Sequence, residues 1–146
     1  YAFAVKEIGT NFLLIFLLFF FLKINLIAEL LKVDGYFFMI IGCYTLGIFS
    51  IVLIRKFSYS ALGNELSNIL GKCTTKNLLI STTLVFLSLL PLGFFTSLIL
   101  LVFIFLTSFL IKLISEKLIN ITYSFTVIYV QIVEVTLLII FNIWIS

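Results

Sequence analysis

Histidine is absent from this 146-residue sequence, and charge is scarce: nine Lys and Arg with six Asp and Glu make only 10% of the chain. Without imidazole there is no histidine base, no histidine metal ligand and no Ser-His or Cys-His nucleophilic pair. So few charges cannot cover the surface of a soluble domain, in which about a quarter of residues are charged. Only two cysteines occur, Cys43 inside an apolar run and Cys73 in a polar stretch. They form no CxxC and no disulfide framework, and they read as small apolar filler and an unpaired thiol. The single proline sits in Pro91-Leu92-Gly93, a helix-breaking hairpin signal. No P-loop, GxGxxG, HExxH or GxSxG is found, and no carboxylate pair at metal-binding spacing.

What is present is apolar. Hydrophobic residues make up 64% of the chain and mean hydropathy is +1.38. A spanning helix needs about 20 mostly apolar residues, so this length allows about five spans with short loops. Five segments qualify: 11–31, 36–54, 77–90, 94–113 and 124–145. The third is the shortest, which leaves a pair of tilted or re-entrant half-helices open. Backbone groups in hydrocarbon must bond internally, and the period-2 alternation of a barrel strand is absent. The expected fold is all-α, a polytopic transmembrane helix bundle forming one domain over 1–146. Lys6 followed by the apolar run 12–22 has the outline of a signal peptide, but no small-x-small cleavage site follows and four more apolar segments do. A start at Tyr1 rather than Met is expected of a fragment or a processed chain.

Loop charges set the expected orientation. With five spans, the N-terminal tail and the loops after the second and fourth spans share one side. That side holds Lys6, Arg55, Lys56, Lys72, Lys76, Lys112 and Lys117, seven of the nine basic residues. The opposite side has Lys32, with Lys23 inside the first span. Such a bias predicts the N-terminus inside and the C-terminus outside. The expected location is the cytoplasmic (inner) membrane of a bacterium or archaeon, with membrane lipid as the surroundings. A net charge of +3 follows from the same bias and gives no argument for nucleic acid. Association into a homo-oligomer stays open.

Polar groups inside the spans are costly, and so they are informative. In the fifth span Ser124, Gln131, Glu134 and Asn142 fall on one stripe at 100° per residue. Such a stripe faces the bundle interior, either as a substrate- or ion-contacting wall or as interhelical hydrogen bonds. In the first span Glu29 and Lys32 are spaced to pair near the outer interface, and Lys23 is expected to snorkel on its aliphatic stem.

Three local patterns, in order, resemble cobalamin synthase, the membrane transferase also called adenosylcobinamide-GDP ribazoletransferase. Lys117-Leu118-Ile119-Asn120-Ile121-Thr122-Tyr123-Ser124, followed at a distance by Glu134 and an apolar run, is similar to the family's K-L-G-G-x-T-G-D and its later Glu. Leu46-Gly47, then Phe57-Ser58-Tyr59-Ser60 and Leu62-Gly63, resembles L-G-R, F-P-Y-A-R and G-L-G. Lys6-Glu7-Ile8-Gly9-Thr10 resembles the M-K-D-x-x-x-G-T/A that precedes a long apolar helix. The likeness covers the whole chain and corresponds to the C-terminal portion of the longer family fold.

The resemblance implies a Mg²⁺-dependent transfer in cobalamin (vitamin B12) biosynthesis. The α-ribazole attacks the cobinamide phosphate of adenosylcobinamide-GDP, and GMP leaves. It implies catalytic candidates Lys6, Glu7, Thr122 and Glu134, and substrate-binding candidates Arg55, Lys56, Tyr59 and Lys117. The family's Asp-rich metal-binding stretch is expected ahead of Tyr1. Tyr123-Ser124 replaces Gly-Asp, Ile48 stands where Arg follows Leu-Gly, and Val5 stands where Asp is expected. The chain is therefore expected to be an incomplete or inactive form of the transferase. A non-catalytic membrane subunit and a small transporter component are the alternatives.

Overall fold

The computed structural model describes the backbone over residues 2–58, 71–118 and 123–145, and side chains over 13–58, 71–114 and 125–145. Five helices follow one another: α1 (Ala2–Leu30), α2 (Tyr36–Phe57), α3 (Thr75–Leu89), α4 (Phe94–Leu118) and α5 (Tyr123–Ile145). Each carries a stretch long and apolar enough to cross a membrane, α3 with the help of a 3₁₀ turn at Leu90–Leu92, and no strand occurs among the described residues. The chain is a multi-pass membrane protein built as a five-span helical bundle. The third segment is one continuous helix, so the half-helix alternative does not hold there.

Helix ends are set by local chemistry. The Thr74 hydroxyl caps α3 by accepting from the Asn77 backbone N–H at 3.2 Å. Gly35, at φ 84°, takes the left-handed conformation that turns α1 into α2. At the other hairpin Pro91 directs the 3₁₀ turn and Gly93 reverses the chain at φ 104°. The buried Ser97 of α4 then donates to the Leu89 carbonyl at 2.8 Å, which ties the start of α4 to the end of α3.

Side-chain bonds between helices fix how they run. Lys56 at the end of α2 donates to the Thr75 hydroxyl at the start of α3, at 2.9 Å. Thr107 and Ser108, in the second half of α4, meet the Tyr129 hydroxyl in the first half of α5 at 3.1 and 3.2 Å. Asn142, near the end of α5, donates to the Leu26 carbonyl near the end of α1 at 3.2 Å. Hence α1 and α5 are parallel, and α4 runs opposite to α5. The second helix is central, packed against α3, α4 and α5, whereas α1 packs chiefly on α5. Leu46, Phe49, Leu53, Ile104, Leu137 and Phe141 are fully buried along this core. Outward-facing residues such as Leu18, Ile48 and Phe95 are exposed apolar side chains, as expected where the surrounding solvent is lipid.

Candidate functional site, a buried ion pair over a small-residue stripe

On α2, Cys43, Gly47 and Ser50 are spaced four and three apart and so share a face; all three are buried. Small residues at this spacing let a neighbouring helix approach closely. The neighbour is α5, and the residue that fills the notch is Glu134. A Cβ on Gly47 would lie 2.7 Å from both Cγ and Oε1 of Glu134. Glycine is needed here for space rather than for its backbone freedom.

Glu134 sits at the middle of α5, about 16 Å from either end at roughly 1.5 Å per residue. Its carboxylate accepts a hydrogen bond from the Lys23 ammonium of α1 and forms an ion pair with it. Lys23 is 7% exposed and Glu134 5%, so the pair is closed off. The expected snorkelling of Lys23 is therefore corrected: its partner across the bundle draws the ammonium inward. The ammonium also lies 5.4 Å from the centre of the Tyr44 ring on α2, a cation–π contact that helps to accommodate the charge away from water. Three helices thus converge on one charged contact.

The α5 stripe faces inward around this pair. Asn142 donates to the carbonyls of Leu26, at 3.2 Å, and Leu138, at 2.9 Å, as interhelical and local hydrogen bonding predicts. Gln131 is half-buried. The Ser124 side chain lies outside the described ones. Glu29 and Lys32 pair at 2.7 Å in the open, as their spacing predicts.

Two of the other candidates lie at the end of α2. Arg55 and Lys56 occupy the last turn of α2, where cations suit the helix dipole. Arg55 donates from Nε to the Gly71 carbonyl at 3.2 Å, and Lys56 bonds Thr75. Both residues therefore tie the start of α3 to the end of α2. Close in sequence, Ser58 is buried and its hydroxyl has no partner among the described residues. Lys6, Glu7 and Lys117 lie on α1 and α4 with side chains outside the described set, and Tyr59 and Thr122 lie outside the described residues altogether.

The described carboxylates do not fit the Mg²⁺ that the resemblance implies. Glu134 is engaged by Lys23, Glu29 is engaged by Lys32, Asp34 is exposed in the turn between α1 and α2, and no group of three or more His, Cys, Asp or Glu gathers among the described residues. A divalent ion needs several oxygen ligands at once, and one committed carboxylate does not supply them.

Sequence reasoning singled out Glu134 but missed both its partner and its notch. A lone lysine in an apolar run carries no mark of what it faces. The Cys43-Gly47-Ser50 spacing was a usable signal for the notch. No protein-family model, no curated protein and no solved structure matches the chain.

Proposed function

We propose that the chain is the membrane bundle of a cobalamin-synthase-like transferase, which joins adenosylcobinamide-GDP and α-ribazole in the cytoplasmic (inner) membrane of a bacterium or archaeon. One observation supports this reading above the rest. Gly47 of the Leu46-Gly47 motif and Glu134, separate pieces of the resemblance and far apart in sequence, are fitted to each other. A motif shared by a family for the sake of its scaffold has this property. Glu134, buried and paired, then serves the scaffold rather than the reaction, and it leaves the list of catalytic candidates.

The chemistry belongs at the basic end, with Arg55, Lys56, Lys72 and Lys76. Displacement at a diphosphate needs cations on the charge developing at the leaving group. Among the described residues only Nε of Arg55 is engaged, and a guanidinium carries five N–H groups, which leaves donors for such a contact. The transfer itself requires more: Tyr123-Ser124 and Ile48 lack the carboxylate and the cation of the family pattern. The same substitutions favour a second reading, a non-catalytic membrane subunit with the family's bundle.

Binding and turnover separate the readings. The full chain in lipid nanodiscs is expected to bind adenosylcobinamide-GDP saturably and to release no GMP above background when α-ribazole and Mg²⁺ are added. Arg55→Ala is expected to weaken that binding about tenfold, the loss of one charge-assisted contact. Absence of saturable binding rejects the transferase-like reading in favour of the subunit. Robust GMP release rejects the claim that the chain is incomplete.

A further inference from the structure

The first helix is held chiefly through one neighbour. Its span is 11% buried, as is that of α3, against 44% for α2, but among the described residues α5 is the one helix on which α1 packs extensively. Between helices in lipid there is no hydrophobic force to favour docking, because lipid tails are as apolar as leucine. Leu26, Ile27 and Leu30 reach the core, yet lipid would solvate them equally well. What lipid cannot replace is a partner for a charge. Lys23 and Glu134 are each mid-span, and each meets its counter-ion only when α1 rests on α5.

We infer that Lys23 and Glu134 form an assembly lock that docks the first span onto the last, over the Gly47 notch of α2. Each charge is tolerated in the membrane because of the other. The helix α1 is then a separable element: α2 to α5 hold together through their own core, and α1 joins once α5 is in place. Neutralising one partner leaves the other charge in hydrocarbon and drives α1 away from α5, towards any arrangement that hydrates it. Neutralising both removes the penalty with the attraction and leaves two apolar faces with the Asn142–Leu26 bond. Reversing both restores the pair. The inference stands on the contact alone and does not depend on the transferase reading.

The test uses the full chain in nanodiscs, with spin labels at Ala28→Cys and Ile139→Cys, both exposed positions, and with Cys43 and Cys73 replaced by alanine and serine. Dipolar spectroscopy of the otherwise wild-type chain is expected to give one narrow distance. Lys23→Leu and Glu134→Leu, each alone, are expected to cut the narrow population at least tenfold. The exchange Lys23→Glu/Glu134→Lys is expected to recover it to within about threefold, whereas the double variant Lys23→Leu/Glu134→Leu, left with the Asn142–Leu26 bond, is expected to stay below the wild type. Circular dichroism of the single variants is expected to keep the wild-type helicity. Narrow distances in both single variants overturn the lock, as does failure of the charge exchange to restore the narrow distance. Loss of helicity throughout a single variant overturns the separability of α1.

Discussion

Gly47 and Glu134 show how a single missing methyl group determines a charged contact. The glycine leaves a notch, the carboxylate fills it, and the ammonium of Lys23 fixes the carboxylate there. Gly47→Ala places Cβ 2.7 Å from Cγ and Oε1 of Glu134, so the side chain must leave its position. Oε1 alone, at the free end of a side chain, could move cheaply; Cγ cannot move without dragging the carboxylate from Lys23. Overpacking of this kind costs about 1–3 kcal/mol, and more where it unpairs a buried charge. The expected result is a lowered unfolding midpoint in detergent for Gly47→Ala. The cost should largely vanish in a background carrying Lys23→Leu with Glu134→Ala, since contacting residues couple non-additively. Equal cost in both backgrounds rejects the notch.

Among the elements, α3 is the one whose ends matter most, because it is the shortest, at 15 residues. Its start rests on Thr74 and on the bonds from Arg55 and Lys56, and its end on Ser97. Thr74→Ala removes the acceptor for the Asn77 N–H and is expected to destabilise α3 by about 1 kcal/mol. Hydrogen exchange should then quicken at the first-turn amides of α3 and stay unchanged in α5; uniform protection across both helices counts against the cap. The helices and the Pro91-Leu92-Gly93 reversal were legible because hydropathy and turn chemistry are local signals. The reach of α1 back to Ala2, well ahead of the apolar run at 11, was not: a helix extends beyond the hydrocarbon where propensity allows. Ser97 was also silent, since its acceptor lies across a turn and nothing in its neighbours points there. Lys23 was misread for the same reason, its partner being 111 positions away. The candidate site was therefore half legible. A buried carboxylate advertises itself by cost, whereas the group that pays that cost is known only from the fold.

For the whole molecule, orientation follows from adding the contact pattern to the charges. Since α1 and α5 run parallel, five crossings put the two termini on opposite faces. Lys23 is taken out of the loop count by its ion pair, which leaves seven basic residues at the end shared by the start of α1 and the turn between α2 and α3, against Lys32 at the other. Positive charge near the ends of spans resists translocation, so the seven-residue end is expected to stay in the cytoplasm. Substituted-cysteine labelling at Lys72 and Ser146, with an impermeant maleimide on intact cells, tests this with one reagent. The expected result is labelling at Ser146 only, with Lys72 labelled after the membrane is opened. Labelling of both positions, or of neither, in intact cells rejects three crossings between them and with that the five-span count. Labelling of Lys72 alone keeps five spans but inverts them. Moving the bias should also move the chain: Lys72→Glu with Lys76→Glu lowers the count at that end from seven to five, a margin over Lys32 that still holds the orientation. The expected outcome is unchanged labelling at Ser146. Inversion by those two substitutions alone would show that the loop between α2 and α3, rather than the summed charge of that end, sets the topology.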